Sequence, residues 1–216
     1  MPRPIVLALG FLISSTLFAA QSVLERGNEL LAKGNAKAAE GIFRDALRKE
    51  PDNAVYRAQL GLSLVLQQRY GDAELELDKL LKSKPNDPAA LWYKAQNSFA
   101  AGRHREAIAR YRAVLPLLDQ ESPQVYAAYW FIGTSWRALL YLKVHTLGAP
   151  PPGDSLADMG LAYNEVDEMI AAYKTYLDLQ PQASDRRDIQ QFLAWVALNR
   201  PPENAKKWLI SPTRPQ

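Results

Sequence analysis

Few residues in this chain are of the kinds that carry out reactions. Its 216 residues include no cysteine and only two histidines, His104 and His145. Without thiols there is no disulfide, no cysteine-ligated zinc and no thiol nucleophile. Neither histidine is paired with a carboxylate at metal-ligand spacing, and no His-Glu-x-x-His motif occurs. No glycine-rich phosphate loop is present, and no serine sits in a nucleophile-elbow context. Glu165-x-Asp167-Glu168 is acidic, but it lies along a helical pattern without a histidine and reads as a solvated face. His104 reads as a packing residue. The sequence therefore predicts no catalytic residue, no metal ligand and no cofactor, and the chemistry left to it is recognition.

The bulk composition agrees. Apolar residues make up 48% and charged residues 23%, a balance that folds around a core. The net charge of +3 is spread among interspersed Lys, Arg, Asp and Glu, so no basic stripe points to a nucleic acid.

The elements that must present a recognition surface show as a period. Gly27, Gly61 and Ala95 recur at a constant step, and Ala39, Ala73 and Ala107 recur at the same one. Phe43, Leu77 and Tyr111 follow it too, as do Ala46, Leu80 and Val114, and Pro51 repeats at Pro85. Each period reads as two amphipathic helices joined by a turn. The small residues mark where the two helices cross closely. Turns are expected at Lys33-Gly34-Asn35, Gln68-Arg69 and Ala101-Gly102-Arg103. Asp87 is expected to cap a helix whose first turn holds Pro88.

The runs Gly27…Ala36-x-x-Ala39…Phe43…Ala46…Pro51 and Leu60-Gly61…Tyr70-x-x-Ala73…Leu80…Pro85 resemble the tetratricopeptide repeat (TPR) family. Ala95…His104-x-x-Ala107-Ile108-x-x-Tyr111 is a third such unit that lacks the closing proline. The resemblance is strong over residues 20–121 and broken over 122–181. It implies an all-α fold, a right-handed solenoid of antiparallel helix pairs whose concave face binds peptides or protein segments. Carried over helix by helix, that face holds Leu24, Asn28 and Leu31 in the first unit and Ala58, Leu62 and Val65 in the second. The third contributes Trp92, Gln96 and Phe99, and the fourth Trp130, Thr134 and Arg137. The face is apolar for a surface, which marks an interaction site. Arg137 would orient a bound segment through a carboxylate or carbonyl. Family members that grip acidic C-terminal tails do so with Lys, Arg and Asn; the matching places here are Leu24, Asn28, Gln59, Ala89 and Tyr93, of which only Asn28 fits.

The fourth unit is stretched. Ser122-Pro123 reads as a cap and first turn, and Tyr129, Ile132-Gly133 and Trp136 follow as a first helix. Its second-helix match is Met169-Ile170-x-x-Tyr173-x-x-Tyr176-Leu177. Trp136 and Met169 correspond to Leu30 and Ala39 of the first unit, yet they lie further apart in the chain, by an excess of 24. Residues 137–147 remain helix-compatible, Gly148-Ala-Pro-Pro-Pro-Gly153 makes one break, and Ser155-x-x-Asp158 opens the return helix. Both helices of this pair are thus expected to be longer by about 12 residues, a projection of roughly 18 Å. Ser184-Asp185 starts a last helix with the apolar stripe Ile189, Phe192, Leu193 and Val196, the cap that a solenoid needs. Pro201-Pro202 ends it.

Residues 1–22 stand apart: Arg3, the apolar run Ile5 to Ile13, then Ala20-Gln21-Ser22 at a cleavage-type site. They read as an export signal, or else as an uncleaved anchor. The organisation expected is a signal over 1–22, three regular repeats over 23–121, a lengthened hairpin over 122–181, a capping helix over 182–200 and a tail over 201–216. The function expected is an exported adaptor, periplasmic or secreted, holding a protein or peptide segment, with no nucleic acid and with membrane contact only through an uncleaved N-terminus. The alternatives are a structural subunit of an envelope or secretion assembly, contacting its neighbours through the hairpin 137–166, and an enzyme accessory domain.

Overall fold

Side chains at the helix starts set the register of the chain. The structure is a computed structural model and describes residues 23–146 and 163–199. By its contacts the chain divides after Ala101 into two units. The first holds α1 (23–32), α2 (Ala36–Lys49), α3 (Ala54–Leu66), α4 (Tyr70–Ser83) and α5 (Pro88–Ala100). The Asn35 side chain accepts from the Ala38 N–H at 3.2 Å, Asn53 from that of Tyr56 at 3.1 Å, and Asp87 from that of Ala90 at 3.0 Å. Each satisfies an N–H that has no partner inside its helix. Pro88 occupies the first turn of α5, as expected.

The turns within the repeats carry a left-handed residue at the same step as the small residues. Gly34, Gln68 and Gly102 have φ of 76°, 59° and 72°. At the first two, the next N–H reaches back to the carbonyl five residues before it: Asn35 to Leu30 at 2.8 Å and Arg69 to Leu64 at 3.0 Å. This closes the carbonyl end of the helix. Glycine suits such a backbone; Gln68 adopts it against its Cβ.

Side-chain packing repeats at that step as well. A Cβ added to Gly27 would lie 2.2 Å from the Phe43 ring, and one on Gly61 would lie 2.6 Å from Leu77 Cδ2. Each glycine is a gap that the partner helix fills with a side chain. Phe43, Leu77, Ala39 and Ala73 are fully buried around these crossings. Phe43, Tyr56, Leu60 and Leu64 form one cluster with Ala39 and Ala73, and Ala58, Leu77, Leu80 and Ala90 a second. Polar ties link successive elements. Glu40 on α2 accepts from Gln67 at 2.9 Å and from Arg69 at 2.9 Å. One repeat later, Glu74 on α4 accepts from Asn97 at 2.9 Å and pairs with Lys94 at 2.9 Å. Arg57 donates to Glu76 at 3.0 Å.

The second unit begins within the third repeat, not at its end. It holds α6 (His104–Val114), a single 3-10 turn (Leu115–Leu117), α7 (Pro123–Thr146), α8 (Tyr163–Leu179) and α9 (Arg186–Asn199). The physical reason for that division is that α6 is bound to the long hairpin. Tyr111 stacks on Phe131 of α7 with ring centroids 4.8 Å apart, and Arg105 and Arg112 form ion pairs with Glu165 and Glu168 of α8. Two carboxylates of the acidic run, expected to be solvated, instead tie α8 to α6. The gap-and-filler contact recurs here, since a Cβ on Gly133 would lie 2.8 Å from the Tyr173 ring. Gly133 and Tyr173 are further apart in the chain than Gly27 and Phe43 or Gly61 and Leu77, and the difference is the expected excess of 24. Helix α7 has 24 residues where α3 and α5 have 13 each. Ser122 does not cap it; the Ser122 hydroxyl is buried without a hydrogen-bond partner among the described residues. The break at Gly148 to Gly153, the opening at Ser155-x-x-Asp158, residues 1–22 and the tail 201–216 lie outside the described residues.

Gln68 provides a clean test of the turns. A non-glycine residue in this conformation costs about 1–2 kcal/mol, partly offset by the extra freedom glycine has when unfolded. Gln68→Gly should raise the urea midpoint by about 0.5–1 kcal/mol of stability with an unchanged slope, measured by circular dichroism. A lowered midpoint would contradict the turn.

Candidate protein-interaction surface

On α5 the residues at one face are enclosed and those at the next are not. Ala90, Ala95, Asn97 and Ser98 are buried, whereas Trp92, Gln96 and Phe99, at spacings of four and three, are half-buried. The Asn97 amide also donates to the Tyr70 carbonyl at 3.1 Å, which fixes the rotation of α5. On α3, Leu62 is half-buried, and on α1, Asn28 is exposed. Ala58 and Val65, expected on the same face, are core residues at 3% and 6% exposure. Helix α3 packs against α2, α4 and α5, so only a narrow strip of it is left to solvent. The face in the first unit is therefore Leu62, Trp92, Gln96 and Phe99.

Two amides belong to this strip of the first unit. The side-chain carbonyls of Gln59 and Gln96 are buried and accept no hydrogen bond among the described residues. Gln59 donates at 3.4 Å to the Tyr93 hydroxyl, whose pKa is raised by burial. An unsatisfied buried acceptor is costly.

In the second unit the expected residues come together, and the protein's own last helix meets them. Trp130 Nε1 donates to Asp185 Oδ2 at 2.7 Å, and the Tyr176 hydroxyl donates to Asp185 Oδ1 at 2.9 Å. Thr134 Oγ1 and the Tyr173 hydroxyl share a hydrogen bond at 3.3 Å. Arg137 Nη1 donates to Asp188 Oδ2 at 2.6 Å, and its guanidinium carbon lies 4.4 Å from the centroid of the Phe192 ring. Phe192 in turn meets Tyr173 edge-on, with centroids 6.1 Å apart. Arg137, expected to orient a bound segment, is paired instead with Asp188 of this chain. Arg137 holds the Asp188 carboxyl below its ordinary pKa. Burial, then the Asp185 hydrogen bond, push the Tyr176 hydroxyl up to about 12. Sequence reading recognised the apolar stripe of α9, and Ile189, Phe192 and Val196 are indeed buried with Leu193 half-buried. It missed the acidic pair, although Asp185 and Asp188 flank that stripe at one helical turn.

His104 opens α6 half-buried, and burial lowers its pKa. Among the described residues no group of three or more His, Cys, Asp or Glu could hold a metal ion, and no helix is long and apolar enough to cross a membrane.

Antiparallel helix pairs with glycine crossings and a turn that recurs at the same step define a helical repeat protein. Residues 24–126 are tetratricopeptide repeats: the model of that family matches at 24–88 and again at 58–126. Proteins of this family generally bind other proteins or peptides, and the repeats of this chain support a protein-interaction role in general. None of the curated proteins matches it. Among solved structures, the MamA RS-1 ArsTM double mutant is similar at 17% identity, with 83% of this chain and 93% of that one covered and a TM-score of 0.55. That likeness concerns the fold alone. A protein from Bacteroides ovatus ATCC 8483 is similar at 18% identity over 88% of this chain and 93% of that one; its TM-score of 0.36 carries no argument.

The contact between α9 and α7 has a pH sign. The folded pKa of Asp188 is depressed, so its contribution is complete above the unfolded value of about 3.9 and is lost as pH falls through the folded one. Asp185, Tyr173, Tyr176 and Arg137 face the same place, and Arg137 stays charged throughout. The difference in melting temperature between wild type and Asp188→Asn should hold from pH 7 to about 5, begin to shrink below about 4 and close as pH falls through the lower folded pKa. A difference that grows on acidification below about pH 4 would contradict the assigned pair.

Proposed function

We propose that this chain is an exported adaptor that holds an extended or helical segment of another protein on the first-helix faces of its repeats. The observation that carries this reading is the strip on α3 and α5, where Leu62, Trp92 and Phe99 remain partly open to solvent beside the unsatisfied carbonyl of Gln96. Apolar side chains would supply burial on binding. Asn28 stands exposed on α1 as a polar contact at the margin. In the second unit Trp130, Thr134 and Arg137 provide the equivalent face. Export rests on residues 1–22: a basic start, an apolar run and a small-residue site at Ala20-Gln21-Ser22. The adaptor is accordingly periplasmic or secreted.

A second reading has support in the length of α7, with its 24 residues against 13 in each of α3 and α5. In a structural subunit of an envelope or secretion assembly, the hairpin 137–166 would be the contact. Trimming that hairpin separates the two readings, since an adaptor of the first kind keeps its partner.

Trp92→Ala should weaken binding of a partner captured from envelope extracts at least tenfold, or about 1.4 kcal/mol, while leaving the unfolding midpoint nearly unchanged. A loss of about 3–5 kcal/mol in stability would mark Trp92 as core instead. Mass spectrometry of the protein from its source should find a new N-terminus between Gln21 and Val23; an intact Met1 or Pro2 in the membrane fraction would establish an anchor.

A further inference from the structure

Helix α9 sits on the α7–α8 pair in the manner of a ligand. Its polar hold on the face comes from the residue just before the helix and from its first turn. Asp185 receives two hydrogen bonds, from Trp130 and Tyr176, and Asp188 receives one from Arg137. Arg186 donates to the Leu177 carbonyl at 2.9 Å. Beyond this the contact is apolar but narrow, with Ile189, Phe192 and Val196 buried, while Leu198 on the same helix is 87% exposed. The seat is also incompletely filled. A cleft of about 380 Å3 remains among Trp130, Thr134, Arg137, Tyr173, Asp185 and Ile189. The cleft is open to solvent, so α9 does not close over the whole face. A helix of 14 residues is marginal on its own in water, so α9 depends on this seat for its structure.

We infer that the α7–α8 face carrying Trp130, Arg137 and Tyr173 is a helix-binding site occupied in cis by α9, and that it accepts in trans an amphipathic helix with one carboxylate just before its first turn, a second three residues on, an aliphatic residue directly after the second and an aromatic residue three further on. Charge and donor complementarity select this partner. Trp130 and Tyr176 present two N–H and O–H donors to the first carboxylate, and Arg137 presents a guanidinium to the second. The Phe192 position lies between the Arg137 guanidinium and the Tyr173 ring, which favours an aromatic side chain there. The assignment rests on the adaptor reading but uses a face of the second unit alone, so the Trp92 test can fail without touching it.

The experiment uses the full chain and a fluorescent peptide with the sequence of residues 184–199. Asp185→Asn/Asp188→Asn in the full chain weakens the cis helix and leaves α7 and α8 intact. The peptide should then bind the double variant at least tenfold more tightly than wild type, because a closed seat must open before it can exchange. A peptide carrying the same two asparagines should lose that affinity, and Arg137→Glu in the receiving chain should abolish it. Equal binding to wild type and double variant, or binding indifferent to the carboxylates, would overturn the inference. Hydrogen exchange on the unaltered protein gives a second reading. Amides of α9 should exchange at least tenfold faster than those of the α7 segment 125–140; exchange of both only through global unfolding would overturn it equally.

Discussion

The close approach of two helices at a residue without a side chain is the constraint on which the rest of this structure depends. At Gly27, Gly61 and Gly133 the partner helix presents Phe43, Leu77 or Tyr173 into the space a Cβ would take. The contact fixes the depth and rotation of the pair together, because the filler reaches its glycine at only one register. Once the pair is set, the outward strip of each first helix is set too. The exposed edges of Leu62, Trp92 and Phe99 in the first unit, and the seat of α9 in the second, follow from where those crossings place the helices.

Much of this was legible in the sequence because a repeat is a measurement made several times. Gly27, Gly61, Ala39 and Ala73 recur at one step, and the same step locates the turns at Gly34, Gln68 and Gly102. The insertion in the fourth unit was readable for the same reason, and Gly133 meets Tyr173 where it requires. What did not show were the relations that depend on tertiary neighbours rather than on period. Ala58 and Val65 share a helical face with Leu62, but α3 is enclosed on more sides than one helix pair implies. Glu165 and Glu168 carry no sign of Arg105 and Arg112, which lie far from them in the chain. Asp185 and Asp188 look like an ordinary acidic helix start, and only their partners on α7 and α8 give them a role.

The two kinds of contact divide the work. Apolar burial at the crossings supplies stability, since one large side chain taken out of water contributes about 1.5–3 kcal/mol. Charged ties between neighbouring elements contribute less, and those at the surface contribute least. Their value lies in orientation. Glu40 gathers Gln67 and Arg69, Glu74 gathers Asn97 and Lys94, and the carboxylates of α9 gather Trp130, Tyr176 and Arg137. In the first unit these ties lock one repeat on the next. In the second they anchor the start of a helix whose buried apolar stripe is Ile189, Phe192 and Val196, which is where a scaffold of this kind can exchange an internal segment for an external one.

A double-mutant cycle at Gly61 and Leu77 tests the central constraint most directly. With equilibrium urea unfolding as the readout, Gly61→Ala should cost about 1–3 kcal/mol in the wild-type background. In a Leu77→Ala background the filler is absent, and the same change should cost little or be stabilising, because alanine favours the helix. A coupling energy of about 1 kcal/mol or more is the result expected. Costs for Gly61→Ala that are equal in the two backgrounds would show that the gap and its filler are not what sets the helix pair, and would contradict the account.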